Sequence, residues 1–113
     1  MRWAEGVRSG LIEACYGAAM DRALALAVDA GRAGEVPVGA VVLGPDGEVL
    51  AEAANARRAA CDPTAHAEVL ALRAAGAAMS DSHLDGCELV VSLEPCTMCA
   101  GAIQLARLVR VVF

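Results

Sequence analysis

The chain has 113 residues, with fourteen acids against nine arginines and no lysine, a formal net charge of -5. That is one domain's length, and with 58% apolar residues it can bury about 65% of its unfolded surface without disulfide staples. An acidic pI near 4.9 and only three aromatics exclude a general nucleic-acid binder, so any contact with nucleic acid has to be local.

At the start of the chain, Met1-Arg2-Trp3-Ala4-Glu5 sets an acid where a signal peptide's basic region would be, which points to a cytoplasmic location. From Leu11 to about Ala33, apolar residues at Ile12, Cys15, Ala19, Ala23, Leu26 and Ala30 keep the spacing of an amphipathic helix, ended by Gly31 and Gly34. Val36 to Leu43 is a β-branched apolar run. Gly44-Pro45-Asp46-Gly47 and then Glu48 to Ala54 complete a predicted β-hairpin. Asp62-Pro63-Thr64 offers an N-cap with proline at the first helical position, ahead of a helix over Ala65 to Ala78.

Cys87 to Leu93 reads as a buried strand, Glu94-Pro95 opens a helix to about Ala106, and Leu108 to Phe113 is a final apolar strand. The longest charge-free run, Pro95 to Ala106, has twelve residues against the roughly 17–25 of a membrane helix, so no membrane partner is expected. The order α-β-β-α-β-α-β predicts an α/β domain over residues 1–113: a mixed sheet of at least four strands, entered through the hairpin, with parallel pairs and helices on its faces. Ending inside an apolar strand, the chain is expected to lack C-terminal material.

Five cysteines, an odd number, do not suggest a disulfide framework. Cys96 and Cys99, in Pro-Cys-Thr-Met-Cys at a predicted helix start, share one face, and a helix N-terminus favours thiolates. Alone, such a pair can be zinc ligands, a redox pair or coincidence. His66, in Thr64-Ala65-His66-Ala67-Glu68, also lies at a predicted helix N-terminus. In a sheet with crossover helices such termini gather along one edge, which would bring His66, Cys96 and Cys99 together as metal ligands.

Three protein ligands leave a tetrahedral zinc one open position, the arrangement of catalytic sites, where a bound water becomes acidic enough to supply hydroxide at neutral pH. Glu68 is expected to sit beside the metal without ligating it and to carry protons from that water to a leaving nitrogen. A sealed structural site remains an alternative and would need His83, Cys61 or Cys87 as fourth ligand. H-x-E followed by P-C-x-x-C is the signature of zinc-dependent nucleobase deaminases. Arg57, Arg58, Arg107 and Arg110 are the few basic residues expected near the site, and scattered arginines usually form a solvated surface.

Four blocks carry a family resemblance: Glu35 to Val41 (Glu-Val-Pro-Val-Gly-Ala-Val), Asp62 to Glu68, Leu93 to Ile103, and Arg110 to Phe113. On these blocks the chain resembles the bacterial tRNA-specific adenosine deaminases, a branch of the cytidine and deoxycytidylate deaminase superfamily, from about Met20 to its end. Residues 1–12 match nothing in that pattern. The resemblance implies a three-layer α/β/α cytidine-deaminase-like fold, one zinc ion per chain, a homodimer, and hydrolytic deamination of the wobble adenosine in a tRNA anticodon loop to inosine. It also implies substrate contacts for Asn55, Val36 and Ala67. A free-base or nucleoside deaminase of guanine or cytosine type shares the metal motifs and stands as an alternative. A non-catalytic zinc-stabilised dimerisation module, or an inactive fragment, is a further one.

Overall fold

The computed structural model describes residues 9–113, with side chains from residue 16 onward. The N-terminal segment Met1–Glu5 and the side chains of Ile12 and Cys15 therefore fall outside the described residues. Seven elements follow in the expected order: α1 (Ser9–Arg32), β1 (Gly39–Leu43), β2 (Val49–Ala54), α2 (Ala67–Met79), β3 (Glu88–Val91), α3 (Thr97–Ala106) and β4 (Arg110–Val112).

The four strands form one sheet in the order β2-β1-β3-β4. β1 pairs antiparallel with both β2 and β3, while β3 and β4 are parallel, the one hydrogen-bonded parallel pair in the sheet. β1 is buried along all five residues, Gly39 to Leu43, because it lies between two strands and under helices on both faces. Alternation divides the strands cleanly. Ala40, Val42, Leu89, Val91 and Val111 join Ala67, Ala71 and Ala75 of α2 and Ile103 of α3 in one core. Val41, Leu43, Val90 and Val112 join Tyr16, Ala19 and Ala23 of α1 in the other. The result is three layers, α1 on one face and α2 with α3 on the other. No described helix is long and apolar enough to cross a membrane.

Small residues set how closely the layers approach. A Cβ built on Gly39 would overlap the carbonyl oxygen of Ala23 and come within 2.8 Å of Leu26 Cβ, so only glycine lets α1 rest on β1 there.

Both helix starts that frame the site differ from the sequence expectation. Asp62 does not cap α2. Its Oδ1 accepts the Thr64 backbone N–H and hydroxyl, each at 2.8 Å, closing a local turn that competes with helix formation. The helix begins after His66, which holds the N-cap position in extended backbone (φ -72, ψ 150). Likewise the segment opened by Glu94-Pro95 becomes helical only at Thr97, after Cys96 at its N-cap (φ -72, ψ 173).

Candidate metal centre and substrate pocket

His66 and Cys96 are both the last extended residue before a helix. At that position the backbone carbonyl already serves the helix, accepting Leu70 N–H at 3.0 Å and Ala100 N–H at 2.8 Å, while the side chain projects past the helix end. Because α2 follows β2 and α3 follows β3, and these strands run the same way on either side of β1, both helix ends open on one edge of the sheet. The expected gathering of ligands along that edge occurs.

His66 Nδ1 lies 3.5 Å from Cys96 Sγ and 3.4 Å from Cys99 Sγ, and the three donors lie within 4.8 Å of one another. Zinc–nitrogen and zinc–sulfur bonds at a tetrahedral angle put such donor pairs about 3.6 Å apart, so the spacing fits a zinc ion. Among the described residues the cluster holds these three and no fourth donor. Cys61 Sγ turns to Arg58 O at 3.8 Å, Cys87 Sγ sits 3.4 Å from Met79 Sδ, and His83 borders a separate groove between α2 and α3. A centre sealed by one of them is therefore not formed.

At Cys99 burial opposes the pull of the helix N-terminus on the thiol when no metal is bound. Burial first, and then the neighbouring Glu68 carboxylate and Cys96, push its thiol far above the ordinary range. A cation held among these donors would reverse that balance, which is the chemistry a zinc ion supplies. Cys96 is exposed and His66 half-buried, so the cluster is reachable from one side.

That side is a cavity of about 180 Å³ whose lining includes Val36, Asn55, Ala67, Glu68 and Leu93. Glu68, the second residue of α2, is 4% exposed and lies outside the donor cluster. Asn55, 6% exposed, follows β2. Its Nδ2 donates to Val36 O at 3.3 Å, which fixes the amide's orientation because a carbonyl only accepts. Asn55 Oδ1 is left buried with no hydrogen-bond partner. Val36 is an exposed rim residue and Ala67 is fully buried at the helix start.

Of the four arginines expected nearby, Arg57 lines the cavity and Arg58 follows it. Arg107 and Arg110 do not. Arg107 caps the far end of α3, and Arg110 is held at 3.0 Å by both Glu88 and Tyr16. The parallel crossover from β3 to β4 carries the end of α3 and the start of β4 to the opposite edge.

A family model for the cytidine and deoxycytidylate deaminase zinc-binding region matches residues 14–113. The chain belongs to this deaminase family. It is 50% identical to a tRNA(Ile)-lysidine synthase of Deinococcus deserti over 113 residues, covering 98% of this chain and 21% of that protein. It is 48% identical to the tRNA-specific adenosine deaminase of Aquifex aeolicus over 80 residues, 71% of this chain and 52% of that protein. The chain thus spans between about a fifth and a half of these two curated relatives.

Among solved structures, one from work on A-to-I editing by tRNA:A34 deaminases matches with a TM-score of 0.79 and 48% identity, over 81% of this chain and 70% of that one. A guanine deaminase from Bacillus subtilis matches with the same TM-score of 0.79 and 45% identity, over 82% and 59%. These matches bear out the cytidine-deaminase-like fold and the family resemblance.

Proposed function

We propose that this chain is a single zinc-dependent deaminase domain over residues 1–113 that hydrolyses the wobble adenosine of a tRNA anticodon loop to inosine. The observation that carries the reading is the convergence of His66 Nδ1 with two cysteine sulfurs at zinc-ligand spacing, with Glu68 beside them in a cavity of about 180 Å³. Identity to tRNA-specific adenosine deaminases supports the substrate assignment. The same reading, on the family resemblance, makes the protein a cytoplasmic homodimer.

Each residue has a distinct part. His66, Cys96 and Cys99 would hold the ion, one per chain. Bound zinc supplies Lewis acidity that brings water's pKa toward neutrality. Glu68 takes a proton from the attacking water and delivers it to the departing amino nitrogen. A C6–O bond forms, the C6–N bond breaks, and adenosine plus water gives inosine plus ammonia. Burial keeps that carboxylate beside the reacting atoms and away from bulk solvent. Asn55 Oδ1, buried without a partner, accepts a hydrogen bond from a donor on the nucleoside. Val36 and Ala67 offer apolar edges to the base.

Zinc-loaded protein incubated with an anticodon stem-loop bearing a wobble adenosine should yield inosine, read by digestion and chromatography. Absence of inosine from zinc-replete protein contradicts the reading. The equal structural likeness to a guanine deaminase favours one second reading, deamination of a free purine. Ammonia released from guanine, with the stem-loop unchanged, would select it.

A further inference from the structure

We propose that Glu35 is a positioning residue for the pocket: it caps a turn 23 and 24 residues further along the chain and so sets where Asn55 and Arg57 stand. The proposal rests on reading the cavity as the substrate pocket.

Residues 57–61 form an isolated helical turn, with Ala60 N–H donating to Ala56 O at 2.9 Å and Asp62 N–H to Arg57 O at 3.0 Å. Ala56 stands where an N-cap residue would, but its methyl cannot accept the donors two and three residues on. Glu35 does so from outside the turn. Its Oε1 accepts Arg58 N–H at 3.1 Å and its Oε2 accepts Ala59 N–H at 2.9 Å. Glu35 is 9% exposed, and both carboxylate oxygens are engaged. These bonds hold the carboxyl below its usual range, with the Ala59 N–H contributing most.

The latch reaches the pocket by two routes. Val36, next to Glu35, accepts the Asn55 amide at 3.3 Å, and the turn's first residue, Arg57, lines the same cavity as Asn55 and Val36. Arg58 Nη1 adds a longer contact to Gly34 O at 3.5 Å. The segment 34–36 and the turn after β2 are therefore fixed to one another, and the cavity wall lies across their junction. None of these residues belongs to the metal cluster.

The test uses three zinc-loaded proteins: the wild-type chain, Glu35→Ala, and Glu35→Ala combined with Ala56→Asp, which supplies a local cap to the same two N–H groups. Glu35→Ala should keep one zinc per chain and raise KM for the anticodon stem-loop about tenfold, equivalent to one hydrogen bond to a charged group, with kcat within about twofold. In the same protein the Arg58 and Ala59 amides should lose protection in hydrogen exchange, and Ala56→Asp should restore both protection and KM. Unchanged protection of the two amides, or a fall in kcat with KM unaltered, overturns the proposal. If the wild-type chain makes no inosine, the functional reading fails by itself, and amide protection alone decides whether the latch exists.

Discussion

At His66 and Cys96 one backbone device serves two purposes. The extended N-cap conformation starts a helix and at the same time turns a donor side chain out over its end. The pairing of H-x-E with P-C-x-x-C is legible in sequence because the chemistry needs those atoms; the cap geometry that aims them is not, since neither histidine nor cysteine is a preferred N-cap. His66→Ala or Cys96→Ser should lose bound zinc and lower thermal stability together, because metal affinity is linked to the folded state. Glu68→Gln should retain one zinc per chain while turnover falls about 100- to 10,000-fold. Metal analysis beside single-turnover kinetics checks both, and zinc loss in Glu68→Gln would remove the distinction between ligand and proton carrier.

Cys99 gives a pH dependence of definite sign. In the metal-free protein its folded pKa is raised above the unfolded thiol value, so the stability it contributes is fully present below the unfolded pKa. That stability disappears as pH rises through the folded pKa. Melting of the metal-free protein should therefore shift to lower temperature above about pH 9, the ordinary thiol range. A Cys99→Ala protein should lack this part of the alkaline shift, and an unaltered alkaline profile in that variant would argue against it.

The order of strands and helices can be read from periodicity, and so can the hairpin; their ends cannot. Asp62 looks like an N-cap by residue type, yet its side chain closes onto Thr64, leaving the helix to begin five residues later at Ala67. Capping by Glu35 is invisible for a different reason: it acts across more than twenty residues, and no local pattern marks the turn it satisfies. Tyr16, Glu88 and Arg110, which join α1, β3 and β4 through contacts of 2.6 to 3.0 Å, are hidden in the same way. Gly39 is the converse case, a residue visible in the Glu-Val-Pro-Val-Gly-Ala-Val block whose reason appears only when α1 is seen resting on it. Gly39→Ala should force α1 away from β1 and destabilise the fold by about 1–3 kcal/mol, measurable by denaturant unfolding. A stability unchanged within error would mean the two elements do not touch there as described.

Taken whole, the molecule is a sheet whose two faces differ in use. α1 closes one face through apolar packing, while α2 and α3 cover the other and bring their N-termini to a shared edge. Three donors from two separate segments meet there, and the carboxylate and amide that flank the cavity come from the same edge. Binding one zinc ion at that edge should tie the two helix starts together and raise the melting temperature in proportion to the logarithm of zinc activity. X-ray absorption at the zinc edge addresses the arrangement most directly. The expected spectrum has two sulfur neighbours at about 2.3 Å and two lighter neighbours at about 2.0–2.1 Å, with only one of the lighter pair an imidazole. A third sulfur, a second imidazole, or less than one zinc per folded chain would contradict it.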